Sequence, residues 1–240
     1  MIAQSHAGKP ALTLCLPGMD TSVPMANSVP MWQFEQAAMD MGFHRVAGVD
    51  EAGRGPLAGP IVAAAVVLCA PVAGLNDSKQ LTEVERDRLF SVLHEGGHAI
   101  GIAVISAEEI DRMGIQSANY AAMLQALAAL EPAPDHLLVD GYRLPACPVP
   151  HQRIVKGDCL SQSIAAASIV AKVTRDRIML EMDVCYPEYG FARHKGYGTR
   201  RHLDALAHWG PCPIHRRSFA PLACKPQETS QLPGQPVERV

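Results

Sequence analysis

From about His44 onward the chain alternates between two hydrophobic rhythms. HRVAGVD (44–50) reads as a strand, and IVAAAVVL (61–68) is an unbroken apolar run suited to a strand buried on both faces. HAIGIAVIS (98–106), the short HLLVD (136–140) and HQRIVKGD (151–158) predict further strands. Between them the period lengthens to that of helices. Thr82 with Glu85 and Ser106 with Glu109 have capping-box spacing, predicting helix starts before EVERDRLFSVLHE and before a shorter segment. ANYAAMLQALAAL (118–130) predicts a helix with a broad apolar face. SQSIAAASIVAKVTRDRIMLEMDV (161–184) is the strongest helical stretch, and Pro187 follows it. QFEQAAMDMGF (33–43) predicts a short lead-in helix. Strands cluster first and then alternate with helices, which predicts an α/β layered fold whose mixed sheet is antiparallel early and parallel later.

Outside this region the pattern fades. Residues 1–43 form an N-terminal extension, Pro-, Ser- and Met-rich with almost no charge up to about residue 30 and expected to be largely disordered. Residues 223–240 read as a disordered tail. With 240 residues and 48% hydrophobic content, one sizeable core is affordable. No apolar run approaches the ~20 residues that span a bilayer, so no membrane partner is expected. Seven scattered cysteines, without a CxxC pair, read as reduced thiols and place the chain in the cytoplasm. The net charge of −3 does not announce a nucleic-acid partner, so local charge has to decide.

Candidate chemistry starts at the strand ends. Asp50 and Asp140 each close an apolar strand, Glu51 adjoins the first, and Asp158 precedes the long helix. In α/β sheets ligands gather at the carboxyl ends of strands, and carboxylates there suit Mg²⁺ or Mn²⁺. Singly, such acids are ordinary solvated turn residues. Adjacent strand residues point to opposite faces, so Asp50 and Glu51 can serve one ion only if the chain turns between them; the glycines that follow supply the means. Those glycines, 53, 55 and 59, surround Arg54. A P-loop would need Lys and Ser/Thr where Arg54 and Gly55 stand, so a nucleoside triphosphatase is disfavoured. Bare amides beside an arginine still suit a phosphate or a closely approaching sugar.

His94-Glu95-Gly96-Gly97-His98 matches the HExxH pattern of zinc peptidases, but two interior glycines and a following strand argue that the helix ends there. The segment 191–217 holds six Lys/Arg, four histidines and one acid, with Phe191, Tyr197 and Trp209 among them. That mixture suits a phosphate backbone with a stacked ring, or a merely solvated basic face.

Together VAGVDEAGRGPLAGP (46–60), LNDSKQL (75–81), LLVDGYRLP (137–145), VKGDCLSQSIAAASIVAKVTRDR (155–177), YGFARHKGYGT (189–199) and RRSFAP (216–221) resemble the bacterial ribonuclease HII family. The resemblance covers about 44–222, which it marks as a catalytic domain. It implies a ribonuclease-H-like mixed sheet flanked by helices, with a C-terminal helical portion. It also implies an endonuclease that hydrolyses the RNA strand of RNA–DNA hybrids and cuts 5′ of single ribonucleotides in duplex DNA, leaving 3′-hydroxyl and 5′-phosphate ends; a monomer is the separate expectation for its assembly. Asp50, Glu51, Asp140 and Asp158 would hold two Mn²⁺ or Mg²⁺ ions. Gly53, Arg54 and Gly55 would read the ribose, Tyr197 would stack on the sugar, and Lys79, Ser163 and Lys172 would contact the backbone. Gln80 stands where the family commonly has lysine. A non-catalytic binding module is the competing class; its signature would be a lost acid, and all four are present.

Overall fold

A computed structural model describes residues 31–223; of the expected extension over 1–43, residues 1–30 lie outside that range, as does the tail after 223, whereas Gln33–Asp40 form the lead-in helix. Five strands form one sheet in the order β3-β2-β1-β4-β5. These are β1 (Val46–Ala52), β2 (Ile61–Val67), β3 (Ala99–Ile105), β4 (His136–Asp140) and β5 (His151–Ile154). β1 pairs antiparallel with β2, and β2 with β3; β1 with β4 and β4 with β5 are parallel. This is the mixed sheet expected from the sequence.

The apolar run of β2 needs both faces because both are covered. Ile61, Ala63 and Ala65 pack with Ala47, Val49 and Val139 under Ala118, Ala122 and Met123 of α4 (Ile115–Ala128). Val62, Ala64 and Val66 pack under Ala166, Ile169 and Val170 of α5 (Gln162–Cys185), with Leu89 and Leu93 of α2 (Glu83–Glu95). α5 approaches β1 closely: a Cβ on Gly48 would lie 2.0 Å from the Ser163 carbonyl carbon, so only glycine fits. The start of α5 is anchored by Glu35 of α1 (Gln33–Asp40), whose Oε1 accepts from Ser161 Oγ at 2.6 Å and from Ser163 N at 2.8 Å.

Both capping boxes form, opening α2 at Thr82 and α3 (Ala107–Met113) at Ser106. α2 stops at Gly96, and Gly97 has φ +71°, so His94 and His98 do not share a helix face. Helix α4 begins at Ile115, earlier than the expected 118. The far end of α5 runs past the sheet. There Met179 packs with Leu57, Ala58, Tyr189, Phe191 and Leu206, joining the loop after β1 to α6 (Phe191–His194) and α7 (Arg200–Trp209). This is the C-terminal helical portion, and it presses on the glycine loop. No helix of the described residues is long and apolar enough to cross a membrane, and the five described cysteines are free.

Candidate active site

β1 and β4 lie side by side with Val49 opposite Val139, so Asp50 and Asp140 emerge together one step later at the carboxyl ends of the strands. After β5 the chain passes through Lys156 in a left-handed conformation (φ 57°) into a single 3-10 turn, Gly157–Cys159, that carries Asp158. Gly157 N donates to Asp140 Oδ1 at 2.7 Å, binding that turn to β4.

The expected turn between Asp50 and Glu51 is absent. The ladder to β2 continues through Ala52, with Asp50 opposite Ala64 and Glu51 opposite Ala63. Asp50 therefore lies on the α5 face, near Ser168, and Glu51 on the α4 face, near Asn119. Both still reach one cleft because the sheet ends there, and side chains from its two faces meet around the edge. The cleft, about 390 Å³, is lined by Asp50, Glu51, Asp140, the Gly53-Arg54-Gly55 loop, Lys79, Lys172 and Tyr197, among others.

Electrostatics are unfavourable for the acids as they stand. Burial, then the charges of Glu51 and Asp140, holds the Asp50 carboxyl well above its ordinary range. Burial likewise pushes Glu51 up to about 7, with Asp140 adding to the rise and Arg54 opposing it. Asp140 is raised as well, by burial first and then by Asp158, against the hydrogen bond from Gly157. Lys79 Nζ lies 2.9 Å from Asp158 Oδ2 and 3.7 Å from Asp77 Oδ1. Burial alone would depress this ammonium, but its hydrogen bond and attraction to Asp158 and Asp77 raise it. Among the described residues no three acidic, His or Cys side chains stand in ready chelating geometry; the Lys79 ammonium occupies Asp158, and main-chain amides occupy Asp50 Oδ1 and Asp140 Oδ1. The donor chemistry nevertheless fits a hard divalent cation: carboxylate oxygens, mutually repelling, with Glu51 Oε2 buried and without a hydrogen-bond partner among the described residues.

The remaining sequence candidates divide. Tyr197 stands 48% exposed beside the loop, its ring available. Arg54 is drawn inward: Nη1 lies 3.8 Å from Glu51 Oε1, Nη2 donates to Gln116 Oε1 at 3.1 Å, and the guanidinium stacks 4.7 Å over Tyr142. Lys172 lines the cleft while paired with Asp176 at 2.7 Å. Ser163 is not brought to the cleft. It is fully buried at the start of α5 behind Gly48, because the helix crosses the strand there. Five residues on, Ser168 does line the cleft, its Oγ bonded to Ser78 Oγ at 2.9 Å. Ser168, Lys172 and Arg175 follow i, i+4, i+7 spacing and all line the cleft. That helical spacing was the available signal for Ser168 and Arg175. Arg216 opens the RRSFAP stretch of the family resemblance, but nothing in the sequence marked it as a buried cation beneath the loop.

Comparison with known proteins gives this geometry a context. The family model "Ribonuclease HII" matches residues 47–222. Ribonuclease HII of Geobacillus thermodenitrificans is 55% identical over 194 residues, covering 80% of this chain and 74% of that protein. The Geobacter sulfurreducens protein of the same name is 53% identical over 191 residues, covering 79% and 88%. The crystal structure of ribonuclease H2 from Pyrococcus horikoshii superposes with a TM-score of 0.64 at 29% identity, covering 75% of this chain and 95% of that one. The match takes in every strand and every acid of the cleft, at more than half identity to relatives of that name; the chain belongs to the ribonuclease HII family and is an endoribonuclease.

Proposed function

We propose that the cleft at the ends of β1 and β4 is a metal-dependent hydrolytic site for the RNA strand of RNA–DNA hybrids, and that it also cuts on the 5′ side of single ribonucleotides in duplex DNA. The ends left are a 3′-hydroxyl and a 5′-phosphate. One observation supports this most: Asp50, buried, and Glu51 and Asp140, partly buried, converge at energetic cost, which the nearby Lys79 and Arg54 offset only in part. Proteins keep such a cost where a ligand relieves it.

Asp50, Glu51, Asp140 and Asp158 would hold Mg²⁺ or Mn²⁺. Bound divalent ions of this kind activate water and stabilise charge on a leaving oxygen. For Asp158 to take part, Lys79 must leave its carboxylate; a side chain 76% exposed can swing toward an incoming phosphate. The ribose reader is the Gly53–Gly55 loop. The 2′-hydroxyl is what separates RNA from DNA at one position, and amides without side chains allow the closest approach. Across the loop the Tyr197 ring offers a stacking face for the sugar beside the RNA–DNA junction, and Lys172 lends positive charge to the wall.

The test is a labelled RNA strand annealed to DNA, incubated with Mg²⁺, with Mn²⁺ and with EDTA, against an all-DNA duplex. Cleavage of the hybrid alone, and only with metal, is expected. Retention of hybrid without cleavage under any metal would leave a binding module in place of the enzyme.

A further inference from the structure

The main-chain carbonyls of the glycine loop run to two buried guanidiniums. Arg216, fully buried, donates from Nη2 to Gly53 O, from Nη1 to Arg54 O at 3.0 Å and from Nε to Gly59 O at 3.0 Å. Arg175, 1% exposed, donates to Pro60 O at 3.0 Å, Ala58 O at 3.2 Å and Lys195 O at 3.0 Å, tying the loop to the turn before Tyr197. Among the described residues neither forms an ion pair. Asp111 lies near enough to Arg216 to soften the cost only in part: burial first, then the charge of Arg175, pulls that guanidinium down to about 9, still cationic at neutral pH. Burying a cation without a carboxylate partner is expensive, so its bonds to carbonyls need a reason.

Peptide geometry supplies one. A trans peptide is planar, with its C=O and N–H pointing in opposite directions. Gly53 O belongs to the peptide that carries the Arg54 N–H, and Arg54 O to the peptide that carries the Gly55 N–H. Holding both carbonyls from beneath turns both N–H groups away from Arg216, toward the cleft that Gly53, Arg54 and Gly55 line. Neither amide donates to a main-chain carbonyl within the described residues. A cation on the carbonyl also polarises the peptide and strengthens its N–H as a donor.

We propose that Arg216 is a positioning residue for ribose recognition: it aims and polarises the Arg54 and Gly55 N–H groups at substrate oxygens without touching substrate itself. This rests on the loop being the ribose reader. Lysine would keep the charge but offer no planar fork for three carbonyls, so Arg216→Lys is the informative variant. Binding to a duplex with one ribonucleotide and to its all-DNA twin is measured in EDTA, where no cleavage intervenes. The wild type is expected to prefer the ribonucleotide by at least about tenfold, ~1.4 kcal/mol. Arg216→Lys is expected to lose that preference with its all-DNA affinity intact, a pattern that a smaller folded fraction cannot produce. A folded Arg216→Lys protein that keeps the preference overturns the proposal. Should the variant not fold, the wild-type amide resonances of Arg54 and Gly55 decide. Both are expected to move downfield with the ribonucleotide duplex and not with all-DNA; silence at both overturns it. A wild type without any preference fails earlier, at the loop reading itself.

Discussion

Replacing Glu51 by glutamine should stabilise the metal-free protein at pH 8 while abolishing cleavage. The Glu51 carboxyl titrates at about 7 in the folded chain against an ordinary 4.5, with burial the leading cause and Asp140 adding to it. Between those values the folded state binds more protons than the unfolded one, so stability falls as pH rises through the window and stays reduced above 7. Each tenfold change in proton affinity is worth ~1.4 kcal/mol, giving a cost on the order of 3 kcal/mol at pH 8, and less if water enters the cleft. In a domain of this size that corresponds to roughly 5–10 °C in melting temperature. Thermal unfolding of the wild type and Glu51→Gln in EDTA reads it directly. At about pH 3, well below both values, the curves should almost coincide, because glutamate is then neutral in both states. By pH 8 the variant should melt higher, and Mg²⁺ should raise the wild type alone and close the gap. A variant that melts below the wild type at pH 8 without metal would show that the Glu51 carboxylate is not a net cost to the fold. It would mean that Glu51 is held mainly by Arg54, 3.8 Å away, as a structural ion pair.

The two loop glycines should separate fold from function. Gly53→Ala puts a Cβ at φ +97°, 2.1 Å from Arg175 Nε and 2.7 Å from Pro60 O, and should cost about 2–4 kcal/mol in urea unfolding. Gly55→Ala meets only the Tyr197 ring at 3.7 Å, so its melting temperature should stay within about 2 °C while cleavage falls at least tenfold. Tyr197→Ala should slow cutting at a single ribonucleotide more than cutting of a continuous hybrid, at unchanged melting temperature; equal losses together with lowered melting would make the ring structural. Lys79→Ala removes the ammonium from Asp158 and should lower the Mn²⁺ concentration needed for half-maximal stabilisation, read by thermal shift.

Local signals in the sequence were the dependable ones. The capping boxes at Thr82 and Ser106 need only neighbours three residues away, and both form. Asp50 and Asp140 were legible because each ends an apolar run, and parallel pairing then sets them side by side. The turn expected between Asp50 and Glu51 was not needed, since a cleft at the end of a sheet admits side chains from both faces. Ser163 lies buried away from the cleft while Ser168, five residues on, lines it, a difference that depends on where α5 crosses Gly48. The burial of Arg216 was illegible for a stronger reason. Composition reads arginine as surface, and what buries this one is a set of carbonyls more than 150 residues earlier in the chain.

The central claim is that the clustered acids cut beside a ribose that the glycine loop recognises. It is tested most directly by a 5′-labelled duplex with one ribonucleotide, cut by the wild type and by Asp50→Asn in Mg²⁺ or Mn²⁺, with the product sized against a ladder. The account predicts a single cut 5′ of the ribonucleotide, a 3′-hydroxyl that a polymerase extends, and no product from Asp50→Asn although it still binds the duplex. Wild-type-like turnover by Asp50→Asn, or cuts scattered without regard to the ribose, would contradict it.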